Sequence, residues 1–179
     1  GPRGQEDGEQ SASMSQDLEI VPLFATPLVV HDVPDAAALN ADLRRVIEER
    51  EKSHPGKQAS NEGGWQSTWD MDRWGGAPAI KLLALARNLA NRVTTDREGK
   101  PVALTWRANM WANVNRSGHG NEFHSHPGSY WSAVFYVDDA GIDVEHRNAQ
   151  ALRLGPLRRV DVGGGHGLGH AVALDIVQA

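Results

Sequence analysis

The sequence predicts an α+β protein, mainly β, with helices packed outside an antiparallel barrel or sandwich. Three observations carry that prediction. Two stretches in the first half place apolar residues at helical spacing. After the turn "DREGKP" (96–101) the period of the pattern drops from 3.6 to 2 in "ALTWRANMWANVN" (103–115). Then "YWSAVFYV" (130–137) is apolar on both faces, as a strand inside a sheet would be.

Taken in order, "IVPLFATPLVVHDV" (20–33) reads as strand-like pieces broken by Pro22 and Pro27, hence an edge or paired ends. Asp35 stands as an N-cap behind Pro34, and Leu39, Leu43, Val46 and Ile47 mark one face of a helix running to about Lys52. Residues 53–76 are loop-like, yet they carry Trp65, Trp69 and Trp74, which suit either a substrate-facing lid or a satellite core cluster. Pro78 sits where a helix can begin, and Ile80, Leu82, Leu83, Leu85, Leu89 and Val93 make the second amphipathic helix. The strand that follows has an apolar face, Leu104, Trp106, Ala108, Met110, Ala112 and Val114. Its other face is amide-rich, with Thr105, Arg107, Asn109, Trp111, Asn113 and Asn115. In the last stretch "GGGHGLG" (163–169) is nearly all glycine, and only "HAVALDIV" (170–177) looks like a strand.

Composition narrows the function classes. The 179 residues suit one domain, with 40% hydrophobic and 23% charged residues. A net charge of −5 gives no nucleic-acid footprint. With no cysteine, disulfides, thiolate metal sites and cysteine nucleophiles are excluded, so any metal must sit on His, Asp or Glu. No apolar run approaches a membrane span, and a soluble, cytoplasmic protein without membrane partners is expected. Residues 1–13, "GPRGQEDGEQSAS", contain almost nothing to bury and are read as a disordered leader, with a single domain over 14–179.

The chemistry concentrates in "NEFHSHPGSYW" (121–131), where His124 and His126 stand one residue apart before an apolar run. In a strand such residues share a face roughly 6–7 Å apart, and two imidazole nitrogens can reach one ion. Glu122 would share that face but lies too far along it to converge, and reads as a rim residue. Asn113 and Asn115 are candidates for a cavity floor that hydrogen-bonds a cofactor, or are buried amides serving only the fold. Tyr136, on one face with Ser132, could donate to a cosubstrate carboxylate or be a core tyrosine. His31, His54 and His119 read as turn or surface residues.

The series "LFATPLVV", the first helix, "NEGGWQS" and "MWANVNRSGHGNEFHSHPGSYWSAVFYVDD" resembles a bacterial family of 2-oxoglutarate- and Fe(II)-dependent oxygenases. The recurrent core of that family reads roughly W-x-N, a glycine turn, H-x-H-P, S-x-x-S and an apolar strand with Tyr. Trp111, Asn113, Gly118, His124, His126, Pro127, Ser129, Ser132 and Tyr136 fall in that register, and the resemblance spans residues 20 to about 139. It implies a double-stranded β-helix, a jelly-roll or cupin-like barrel. It also implies Fe(II) and 2-oxoglutarate as cofactors, and oxidative hydroxylation of an unknown small-molecule or peptide substrate. His124 and His126 carry over as two iron ligands, with histidine where an aspartate is usual. The family also implies a third histidine in a late strand, followed by an arginine for the far carboxylate of 2-oxoglutarate. His166 and His170 are the candidates for that ligand, and His170 is preferred because it opens the strand-like segment. No arginine or lysine follows it. The stretch 141–179 departs from the family, as a change of reading frame would make it depart, and slow or absent turnover is expected.

Two rivals remain. Gly118 with His124 and His126 matches the opening of a cupin metal site, but Tyr130 and Trp131 stand where its glutamate would be. A catalytically impaired barrel acting as a binding protein is the other, and a homodimer is compatible with any of the three. Deleting residues 1–13 is expected to leave the melting temperature unchanged within a few degrees. A larger drop by differential scanning fluorimetry would show that they pack.

Overall fold

Alternation along the strand of residues 106–115 sorts its side chains into a face that is buried against helices and a face that builds the site. The structure is a computed structural model. It describes residues 27–122, 124–138 and 169–178, together with the backbone of 151–155. The expectations for 1–13, His166 and most of 141–168 therefore lie outside the described residues.

In chain order the elements are β1 (Val29–Asp32), α1 (Ala36–Ser53), β2 (Asn61–Glu62), β3 (Trp65–Gln66), α2 (Met71–Trp74) and α3 (Gly76–Val93). They are followed by β4 (Trp106–Asn115), β5 (Gly120–Asn121), β6 (Trp131–Asp138), β7 (Ala151–Gly155) and β8 (Gly169–Gln178). A six-stranded sheet has the order β1-β7-β6-β8-β4-β3, and β2 pairs with β5 in a second, two-stranded sheet. Every pairing between these strands is antiparallel. β8 lies between β4 and β6, so the strand-like end of the atypical stretch forms the middle of the sheet.

The core lies on one side of that sheet. Met110, Ala112 and Val114 of β4, Ala133, Phe135 and Val137 of β6, and Val172, Leu174 and Ile176 of β8 point to it. They meet Leu39, Leu43 and Ile47 of α1 and Leu82, Ala86 and Leu89 of α3. The buried indoles find partners, Trp106 Nε1 donating to Asn91 Oδ1 at 2.7 Å and Trp131 Nε1 to Thr94 Oγ1 at 2.9 Å.

Several expectations change. Asp35 holds the N-cap position but adopts φ 51°, and its side chain makes no capping bond. Aspartate tolerates that left-handed turn, which follows Pro34. The second helix begins at Gly76, two residues before Pro78, and Ile80 is 51% exposed because Ala79 takes the inward position of that turn. Trp65 and Trp74 pack against the helix-side core, which removes them as a lid over the opposite face. Trp69 stays exposed beneath the Lys57 ammonium, 4.5 Å from its ring centre.

Phe135→Ala should cost about 3–5 kcal/mol in urea denaturation, since Phe135 is fully buried at the centre of the core. Ile80→Ala should stay within about 0.5 kcal/mol, and comparable losses for the two would contradict this placement.

Candidate functional site

Strand register lays out the other face of the sheet in rows. Asn113, Ala171 and Tyr136 stand side by side across β4, β8 and β6. Trp111, Ala173 and Val134 form the next row, and Asn109, Asp175 and Ser132 the third. Gln66 of β3 extends the first row beyond Asn113. Side chains opposite each other on neighbouring antiparallel strands share a face, about 4.5–5.5 Å apart at Cβ. With alanines in the middle strand, the flanking amides, indole and phenol stand above a floor of methyl groups.

His124 and His126 reach this face from the segment between β5 and β6, which is not regular strand. A turn sets the second histidine. Ser129 N–H donates to His126 O at 3.2 Å, Pro127 takes the second position, and Gly128 at φ 85° takes the third. That is type II turn chemistry, in which proline fixes one angle and glycine supplies the positive φ. The imidazoles lie with ring centres 4.7 Å apart, closer than strand spacing would bring them.

Each imidazole is held at Nδ1. His124 Nδ1 is 2.7 Å from Glu122 O, and because a carbonyl only accepts, Nδ1 carries the proton and Nε2 the lone pair. Ser60 Oγ approaches that Nε2 at 3.4 Å. Ser60 is itself tied to the histidine segment, accepting Glu122 N–H at its carbonyl (2.7 Å) and Asn121 Nδ2 at its hydroxyl (3.1 Å). His126 Nδ1 faces Asp175 Oδ1 at 2.8 Å, and the ring stacks on Trp111 at 18° between planes. Its Nε2 is buried without a hydrogen-bond partner among the described residues.

Of the residues the sequence singles out, His124, His126, Asn113 and Tyr136 come to this side. Tyr136 is half-buried and packs with Trp111, Val134, Ala171 and Ala173. Asn115 lies at the edge, its Nδ2 donating to Asn121 Oδ1 at 3.4 Å. A Cβ at Gly64 would overlap Asn115 Oδ1 and come within 3.0 Å of the Val114 carbonyl, so only glycine lets β3 close on this edge. Glu122 is exposed, as a rim residue should be.

His170 does not join them. It alternates with Ala171 and so points to the helix side, 1% exposed, with Nδ1 2.9 Å from Asp138 Oδ2 and Nε2 3.7 Å from Glu48 Oε1. Arg44 closes the same cluster onto Asp138 at 2.6 Å. As third ligand His170 is therefore replaced by nothing among the described residues, which contain no group of three His, Cys, Asp or Glu able to hold a metal.

Asp175 and Gln66 also belong to this face, where the sequence alone does not place them. Asp175 and Gln66 were reachable only through strand order. Arg107 lies on the amide-rich face that the sequence predicts, upstream of the histidines, whereas the family resemblance implies a cation after them. β4 lies beside β8, and Arg107 stands opposite Val177 on the Asp175 side, exposed.

Replacing His124 and His126 together by alanine should abolish Fe(II) retention after anaerobic loading and desalting. Equal metal content in parent and variant would remove the site.

Residues 109–161, less than half of the chain, match the profile of a family described as "Putative 2OG-Fe(II) oxygenase". The fold is similar to that of a prolyl hydroxylase from Trichoplax adhaerens, solved with a peptide fragment of the hypoxia inducible factor oxygen degradation domain. That match has 14% identity and a TM-score of 0.59, covering 84% of this chain and 83% of that one. A prolyl-4-hydroxylase from Pseudomonas putida matches at 14% identity and a TM-score of 0.58, covering 86% of this chain and 94% of that one. No curated protein sequence matches. The architecture is thus similar to the double-stranded β-helix of those hydroxylases, and residues 109–161 carry the likeness to the 2-oxoglutarate- and Fe(II)-dependent oxygenase family.

Proposed function

We propose that this chain binds Fe(II) through His124 and His126 and 2-oxoglutarate on the sheet face beside them, to oxidise a small-molecule or peptide substrate. The observation that carries the reading is the pair of neighbouring imidazoles. Both are pinned at Nδ1, and His126 Nε2 is buried without a hydrogen-bond partner among the described residues. A buried nitrogen lone pair with nothing to accept from is costly in a folded protein, and a metal ion relieves that cost.

Tested against iron, the residues fit in part. Two neutral imidazoles suit Fe(II) as donors. A third donor is not found among the described residues. When bound, iron with 2-oxoglutarate supplies oxidative decarboxylation and the means to oxidise a C–H bond.

The chain's own residues would bind and orient. Asn113 and Tyr136, on either side of Ala171, offer an amide N–H and a phenol O–H to a carboxylate. Trp111 covers one face of His126 and keeps water from it. Arg107 is one cation that strand order brings to this side, at its exposed end.

Calorimetric titration tests the reading. 2-Oxoglutarate should bind the Fe(II)-loaded chain and should fail to bind the metal-free chain or the His124→Ala, His126→Ala variant. Binding that ignores the metal would overturn it. Succinate formation with Fe(II), ascorbate and O2 should be slow or absent, because the described site supplies two ligands. Robust turnover would place a third ligand outside the described residues.

A further inference from the structure

We propose that Asp175, steadied by Ser132, is a positioning residue for His126. Its carboxylate keeps the imidazole proton on Nδ1 and so presents the Nε2 lone pair toward the site. The inference rests on the reading of His126 as an iron ligand for its consequence, though not for its geometry.

The geometry is set by the sheet. Asp175 stands directly opposite Ser132 on β6 and opposite Asn109 on β4, so its carboxylate rises from the floor between two polar neighbours. Ser132 O–H donates to Asp175 Oδ1 at 3.1 Å, and the same oxygen faces His126 Nδ1 at 2.8 Å. A carboxylate can only accept, so this contact is a hydrogen bond when Nδ1 carries the proton. The side chains of His126 and Asp175 are 10% and 17% exposed, so water competes little for the bond. Bonds to an ionised acceptor are about twice as strong as neutral ones, which favours this tautomer over the one with the proton on Nε2.

Rotation is limited as well. Trp111 lies nearly parallel to the imidazole with centres 5.9 Å apart, and Asp175 fixes the ring edge. One contact sets the ring plane and the other its rotation within that plane. Carboxylates that hold a ligating imidazole at its other nitrogen raise its donor strength and fix its direction, and removing them costs about 10–100-fold in metal affinity. His124 receives the corresponding restraint from a backbone carbonyl, at Glu122 O. At Nδ1 the two histidines are therefore oriented by different means, His124 by a backbone carbonyl and His126 by a replaceable side chain.

The test uses the full metal-free chain with ¹⁵N-labelled histidine, long-range ¹H–¹⁵N spectra at one fixed pH, and Co(II) titration as the metal probe. In the parent, His126 should show the proton on Nδ1. Asp175→Ala should convert it to a mixture with the Nε2–H form and weaken Co(II) binding about 10–100-fold, with the His124 signals unchanged. Ser132→Ala should move both readouts the same way by less. Asp175→Asn keeps the shape and one accepting oxygen, and it carries the comparison if the alanine variant does not fold. It should lie between parent and alanine. An unchanged His126 tautomer in the Asp175 variants would overturn the proposal, as would a changed tautomer with unaltered Co(II) affinity. If the tautomer shifts as stated but the parent binds no metal, the iron reading fails and the tautomer role of Asp175 stands.

Discussion

The register of β8 between β4 and β6 is the constraint on which the site depends. A strand commits alternate residues to opposite faces, so a slip of one position would exchange the two sets entirely. Val172, Leu174 and Ile176 would then stand on the histidine side, and Ala171, Ala173 and Asp175 would face the helices. The observed register avoids this because the three large aliphatic side chains complete a core with α1 and α3. Hydrophobic burial at about 25 cal/mol per Å² thus fixes where a carboxylate stands on the far side of the sheet. His126 has its partner as a result of packing it does not touch.

That dependence explains what could be read from the sequence. Both long helices, the strand carrying Met110 and Val114, the apolar strand around Phe135 and the late strand at 170–177 announce themselves through local period. So do His124 and His126, which are neighbours in the chain. Asp175 is different, because its role exists only once β8 is laid beside β6. The side taken by His170 follows from the same placement, and its rank as third ligand rested on position in the chain alone. Ile80 and Ala79 show a subtler failure. Both are apolar at adjacent positions, and only the direction from which the sheet approaches α3 decides which is buried.

The helix side carries a polar group of its own. His170, Asp138, Glu48 and Arg44 meet where α1 crosses the end of β6 and β8. Arg44 is 49% exposed, so its ion pair with Asp138 adds little stability after screening. The buried imidazole is more demanding, because it must keep an acceptor at Nδ1 or leave a polar atom stranded. That acceptor, Asp138, comes from the neighbouring strand, and α1 reaches the same group through Arg44 and Glu48.

The pair Ala171 and Ala173 has a meaning apart from packing. Each lies in the middle of a row whose flanks are larger, so the small side chains of this face come from one strand and the imidazoles from another segment. The two can therefore change independently. A valine at either position would crowd Trp111, Val134 or Tyr136, which pack around these methyl groups, while leaving the histidine segment as it is. Room for those larger neighbours is written as an absence of side chain, which makes it simple to alter.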